Sequence, residues 1–230
     1  MRYILILVLF WIAVSGASID DALKAFKAQQ YGKAYILYKQ EAENNNTKAQ
    51  QALSYLYFNG IGVGKNVERG FYWLSKAAYG LDATAQYDLG MMYLSGENCM
   101  PNMKQAMFWL ERAADQQHPQ AQYNLALMYY RGDGADANVT KAAKYLELAA
   151  LNGDVKSSHI VGRIYMQIVK FDKAILWFKK NVKEGDMEAA YFLGEIYCSQ
   201  GDYASAKPWL NRAIEAGIEK AVILEKSCKQ

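Results

Sequence analysis

A small residue, an aliphatic residue and a tyrosine recur at a fixed period along most of this chain. Ala49, Ala85, Ala121, Ser157, Ala189 and Ala221 follow one another at steps of 36, 36, 36, 32 and 32 residues. Four residues after the first five come Leu53, Leu89, Leu125, Val161 and Leu193, and eight after come Tyr57, Tyr93, Tyr129, Tyr165 and Tyr197. Steps of four set the three side chains along one stripe of a helix, which is how a helix presents a buried face. A second stripe keeps the same rhythm: Gly70, Ala106, Ala142, Ala174 and Ala206 each stand three residues before Trp73, Trp109, Tyr145, Trp177 and Trp209. Both aromatic series read as core.

Between the stripes lie Gly60-Ile61-Gly62-Val63, Gly96 followed by Pro101, and Gly132-Asp133-Gly134, residues that stop a helix and admit left-handed backbone. The four-residue shortening falls in the same connection, at Val169-Lys170 and Gly201-Asp202, because loops absorb length changes most easily. Each unit is therefore helix, turn, helix. A unit of this size cannot bury its own apolar stripe, so several must stack. The predicted fold is all-α, an α/α superhelical solenoid of antiparallel helix pairs. Its repeats lie near 47–82, 83–118, 119–154, 155–186 and 187–218. A degenerate pair over residues 20–44 precedes them, in which Ala34 keeps register with Gly70 but Leu37 replaces the Trp, and a capping helix over 219–230 follows.

The units resemble the Sel1-like repeat, a relative of the tetratricopeptide repeat. The resemblance rests on Ala85-Gln86-Tyr87-Asp88-Leu89-Gly90-Met91-Met92-Tyr93 with Gly96, and on Lys104-Gln105-Ala106-Met107-Phe108-Trp109-Leu110-Glu111-Arg112-Ala113-Ala114. It covers roughly residues 47–217, repeated five times. The unit at 155–186 departs most, with Ser157, Val161, Asn181 and Val182 where Ala, Leu, Ala and Ala are usual. The resemblance implies a right-handed superhelix that binds proteins or peptides, often in exported bacterial proteins. It is a match to a fold, and function must be argued from sites.

If the first helix of each pair lines the inner surface, as in that family, the residues two, six and nine after each opening small residue face a groove. They are Gln51, Tyr55 and Phe58; Tyr87, Met91 and Leu94; Tyr123, Leu127 and Tyr130; His159, Arg163 and Met166; then Tyr191, Glu195 and Cys198. This is a groove of Tyr and Met with one cationic stretch at His159 and Arg163. Aromatic, Met and Arg side chains are enriched where proteins meet. The competing reading is that many of them fill contacts between adjacent first helices.

The amino terminus stands apart from the repeats. Met1-Arg2-Tyr3 gives a short positive region, Ile4 to Val14 gives eleven apolar residues, and Ser15-Gly16-Ala17 offers small residues for a cleavage after Ala17. Eleven apolar residues fall short of the roughly twenty that span a bilayer as a helix. Residues 1–17 therefore read as a signal peptide, and residues 18–230 as one periplasmic or secreted solenoid domain without membrane insertion, expected to be a monomer. With 26 Lys and Arg against 23 Asp and Glu, the formal +3 is too small an excess to suggest nucleic acid.

Motifs for chemistry fail one by one. Gly60-Ile61-Gly62-Val63-Gly64-Lys65 follows a helix, lacks the Ser or Thr after Lys, and has the wrong spacing for a phosphate loop. His118 and His159 are the two histidines, and neither has a second ligand at metal spacing. No G-x-S-x-G occurs, and no Ser is followed three residues later by Lys. The chain also lacks the repeated cysteine pairs of the branch of the family linked to penicillin binding and hydrolysis. No cofactor, metal or catalytic residue is expected. Cys198 and Cys228 lie at similar heights on two helices and could pair, tying the cap down and leaving Cys99 free. The resulting reading is a non-enzymatic exported scaffold that binds a protein or extended peptide, regulating a cell-envelope enzyme or serving host contact. A periplasmic immunity protein that neutralises a secreted toxin fits the same sequence, and lactam binding is a distant third.

Overall fold

The computed structural model describes residues 18–229; the leader read at residues 1–17 lies outside them. Among the described residues the elements are thirteen helices and no strand. They fall into two compact units, the first ending at Ala113 and the second beginning at Ala114. In the first unit α1 (Ile19–Lys27) pairs with α2 (Tyr31–Glu43), α3 (Thr47–Asn59) pairs with α4 (Val67–Tyr79), and α5 (Ala83–Ser95) packs on α4. Next comes α6 (Met103–Asp115), whose end crosses the boundary. In the second unit α7 (Pro119–Arg131) pairs with α8 (Val139–Leu151), α9 (Val155–Gln167) with α10 (Phe171–Lys183), and α11 (Met187–Ser199) with α12 (Tyr203–Glu215), before α13 (Glu219–Cys228) ends the chain. Each unit is thus a stack of helix pairs, and the fold class is the all-α solenoid.

The helices α2 to α12 are each 13 residues long. That length, about 20 Å at 1.5 Å per residue, just accommodates the small, aliphatic and Tyr positions of one stripe. The small residue and the aliphatic are fully buried in every complete repeat. Glycine one residue after the aliphatic lets the partner helix in. A Cβ on Gly90 would meet Leu110, one on Gly162 would meet Phe178, and one on Gly194 would meet Leu210.

The two repeat lengths share one hydrogen bond. In the longer units the amide N–H of Asn66, Asn102 and Asn138 donates to the carbonyl of Tyr57, Tyr93 and Tyr129, at 2.9, 2.8 and 2.7 Å. In the shorter units Lys170 and Asp202 donate to Tyr165 and Tyr197, both at 2.9 Å. The N-terminal end of the second helix therefore satisfies the carbonyl of the repeated Tyr whether it arrives nine residues later or five. Four residues can go because this closure is kept. In the longer units the connection starts on a left-handed glycine, Gly60, Gly96 or Gly132. The shorter ones turn through Gly201 and, less favourably, Val169 at φ 59°.

A buried glutamine one residue after the small residue joins successive pairs. Gln50, Gln86 and Gln122 donate their Nε2 at 3.0 Å to the carbonyls of Ala42, Ala78 and Ala114. These carbonyls lie in the last turn of the preceding second helix, where each also accepts a turn amide, from Asn45, Leu81 and Gln117, so the glutamine fills the second lone pair. The repeat at 155–186 replaces this link. Ser158 donates to Asn181 Oδ1 at 3.1 Å, and Asn181 Nδ2 donates back to the Ser158 carbonyl at 2.9 Å. Its neighbour Ser157 occupies the small position, fully buried, with its hydroxyl unpartnered. An orphaned buried hydroxyl costs about 1–3 kcal/mol. Ser157→Ala is accordingly expected to raise the urea midpoint by the equivalent of about 1–2 kcal/mol, and a lower midpoint would contradict this account.

Candidate protein-binding face

In the first unit the faces of α1, α3 and α5 enclose an open cavity of about 890 Å³. Its floor carries Leu23 and Phe26 from α1, Tyr55 and Phe58 from α3, and Met91 from α5, with Lys48, Lys65, Asp88 and Glu97 among its polar lining. Gln51 lines it too and donates to Asp88 Oδ2 at 3.0 Å, joining α3 to α5. Tyr55 is 52% exposed, and its ring meets Phe26 edge-on at 6.5 Å. Phe58 serves two purposes. One edge lines the cavity, and the ring also lies against Gly70, where a Cβ would stand 2.6 Å from it. Tyr87 is half-buried on α5 outside the lining.

Leu23 and Phe26 have no place in a reading with a uniform 36-residue step. Counting back 32 from Tyr55 and Phe58, the step of the shorter units, lands on both of them. The first pair is a short unit, and that signal was available in the spacing.

In the second unit Tyr130 is 43% exposed, Tyr123 and Leu127 are half-buried on α7, and His159 and Arg163 are exposed on α9 with Met166 half-buried. His159 Nδ1 lies 3.1 Å from Asp186 Oδ2. Tyr191 on α11 is partly covered by the cap: Lys220 Nζ stands 4.4 Å over its ring and pairs with Glu188 at 2.7 Å. Cys198 and Cys228 form a disulfide between α11 and α13, with Cα atoms 5.4 Å apart. The face therefore ends at Tyr191, beneath α13. Cys99 remains a free, half-buried thiol, pushed up by burial.

The repeated Tyr and Trp are not uniformly core, which corrects the sequence reading. Tyr57, Tyr129, Tyr165, Trp109 and Trp177 are buried, whereas Tyr93, Tyr197, Trp73 and Trp209 are only half-buried. For tyrosine the difference tracks one residue of the second helix. Arg69, Lys141 and Lys173 extend over the rings of Tyr57, Tyr129 and Tyr165, at 5.7, 4.7 and 4.8 Å. Gln105 and Ser205 hold that position beside Tyr93 and Tyr197. The long cationic stem covers the ring, and a shorter side chain leaves it open.

In the repeat at 155–186 this contact acquires an acid from the repeat before it. Glu147 Oε2 accepts from Tyr165 Oη at 2.6 Å and from Lys173 Nζ at 2.8 Å. Burial acts to raise its carboxyl pKa, but hydrogen bonds from Lys173 and Tyr165 outweigh it and hold the carboxyl below the usual Glu range. A depressed folded-state value contributes stability above the unfolded value, lost as pH falls through the folded one. Glu147→Gln is expected to cost about 1–2 kcal/mol at pH 7. The gap to the parent should close as pH drops below the ordinary Glu value of about 4.3, and a gap independent of pH in urea titrations would refute the assignment.

The glycine-rich run at 60–65 is the turn between α3 and α4, and Ile61 and Val63 pack on the first unit's core. His118 caps α7, its Nδ1 accepting from the Ala121 amide at 3.3 Å. Among the described residues no group of three or more His, Cys, Asp or Glu is placed to hold a metal ion, and no helix is long and apolar enough to cross a membrane.

Comparison with known proteins places these features in a family context. The profile of the family described as Sel1 repeat matches residues 47–80, 83–118, 119–154 and 188–218. A Sel1 repeat protein from Oxalobacter formigenes is similar at 28% identity and a TM-score of 0.69, over 86% of this chain and 85% of that one. The protective antigen c5321 of uropathogenic Escherichia coli strains, which displays an SLR fold, is similar at 30% identity and a TM-score of 0.61. That match covers 81% of this chain, which spans only 42% of the antigen's structure. No curated protein matches the chain.

Proposed function

Since the chain belongs to the Sel1 repeat family, whose helical scaffold is suited to protein–protein interaction, we propose that it is a non-enzymatic exported scaffold that takes a protein or extended peptide on its first-helix faces. The observation that carries this reading is the open cavity of the first unit, where Phe26, Tyr55, Phe58 and Met91 share the lining with polar side chains. An apolar patch with a polar rim is the general anatomy of a protein contact. Export to the periplasm or beyond is supported by the leader at residues 1–17 and by the disulfide, since such bonds persist in oxidising compartments. There the scaffold regulates an envelope enzyme or serves host contact, acting as a monomer.

Affinity capture from envelope extract of the source organism tests the reading, with Tyr55→Ala/Tyr130→Ala run beside the parent. These two tyrosines are exposed, so the variant should keep its circular dichroism and melting while capture falls at least tenfold. Equal capture by parent and variant would remove these faces as the binding site. Intact mass of the purified protein should begin at Ser18; a chain retaining residues 1–17 would end the export reading.

A further inference from the structure

The first-helix positions that line the cavity of the first unit recur in the second unit with different chemistry. Lys48, Gln51, Tyr55 and Asn59 of α3 all line the cavity. Three repeat steps of 36 from Lys48, Gln51 and Tyr55 fall on Lys156, His159 and Arg163 of α9, and two steps from Asn59 fall on Arg131 of α7. All four counterparts are exposed. The three on α9 are spaced by three and four residues and share one face. The first-unit positions thus carry one cation, Lys48, where their counterparts carry Lys156, Arg163 and Arg131.

The molecule leaves the two arginines of this face uncompensated. Arg69 reaches the Tyr57 hydroxyl and ring, Arg112 lies over Phe108 and Trp109, and Arg212 over Trp209. Among the described residues Arg131 and Arg163 make no ion pair or ring contact. The acids of α11 and its cap are already engaged, while Asp133 and Asp136 stand in the turn that follows Arg131. Asp186 faces His159 and caps α11, Glu188 pairs with Lys220, and Glu195 sits against the Tyr191 hydroxyl. Apolar contact area lies beside the charges in Tyr130 and Met166, both repeat counterparts of the cavity-lining Phe58. A guanidinium offers paired donors in a plane that matches a carboxylate, a geometry Lys cannot reproduce.

We propose that this face of the second unit binds an acidic segment of a protein partner, its carboxylates received by Arg131 and Arg163 and an apolar side chain seated on Tyr130 and Met166. The proposal rests on the protein-binding reading above and adds the chemistry of the partner.

Selection of a random dodecapeptide phage library on the purified protein tests it. Peptides enriched by the parent should carry at least twice the Asp and Glu content of the input library. The bias should vanish on Arg131→Glu/Arg163→Glu and survive on Tyr55→Ala, with circular dichroism confirming that each variant is folded. The best acidic peptide should lose at least tenfold in affinity when its acids are changed to amides, read by fluorescence anisotropy. Enriched peptides without acidic bias, or a bias that persists on the charge-reversed variant, would overturn the proposal while leaving the scaffold reading intact. No enrichment of any peptide would count against the scaffold reading itself. A deoxythymidine dodecamer binding as tightly as the best acidic peptide would overturn the proposal in favour of a general polyanion surface.

Discussion

A chain carrying Cys198→Ser and Cys228→Ser is expected to lose about 3–4 kcal/mol of stability, the chain-entropy value for a closed loop of this length. The bridge links residues 30 apart. Its weight comes from how little else holds α13. Ala221 is the one fully buried residue of that helix, and Ile223 is 71% exposed. The polar ties to other helices are the Lys220 to Glu188 ion pair, the Tyr203 hydroxyl donating to Glu225 at 3.0 Å, and Lys229 over the Tyr203 ring at 5.7 Å. All of them are partly or wholly solvated and therefore weak. Glu225, Lys226 and Lys229 stand where Leu193, Gly194 and Tyr197 stand one repeat earlier, so α13 lacks the apolar stripe that the first helices of the other pairs bury. Urea unfolding of the oxidised, reduced and double-Ser forms measures the effect. Hydrogen exchange of residues 219–228 should accelerate most. Equal midpoints with and without reductant would show that the cap is held by packing instead.

The stripes, the helix pairs and the place of the four-residue deletion were legible in the sequence because each rests on a repeated local pattern. Periodicity of four reports a buried helix face directly, and loop glycines mark where helices end. Three features escaped for physical reasons. Gln50, Gln86 and Gln122 look like surface residues, and their burial makes sense only beside the last-turn carbonyl of the preceding helix, which has a lone pair left for a second donor. Tyr93 and Tyr197 fit the stripe as well as Tyr57 does, but their exposure depends on a residue of another helix. The cavity of the first unit draws Leu23 and Phe26 from a pair whose aliphatic, Tyr and Trp positions are held by Asp21, Ala25 and Leu37, so only the switch from a 36- to a 32-residue step reveals them. In each case the missing information was a contact between elements, which a stripe along one helix does not contain.

Gly62→Ala is expected to cost about 2–4 kcal/mol, and Gly64→Ala, two residues on, close to nothing. Gly62 adopts φ 71°, a left-handed backbone that costs an L-residue about 1–2 kcal/mol. A Cβ there would fall on the carbonyl oxygen of Tyr31 at the start of α2. That atom is backbone at a helix end, so the clash cannot be relieved by a rotamer change, and forced overpacking adds about 1–3 kcal/mol. A Cβ on Gly64 meets nothing within 4 Å, so the substitution there removes only chain flexibility. The pair of variants separates two meanings of the run Gly60 to Lys65. Glycines that cradled a phosphate would show their loss in ligand binding, with both positions sensitive. Glycines that let the α3–α4 turn settle against α2 show it in the melting temperature, at Gly62 alone. Equal melting of the two variants would mean that this turn does not pack on Tyr31, and the junction between the first two helix pairs would need another explanation.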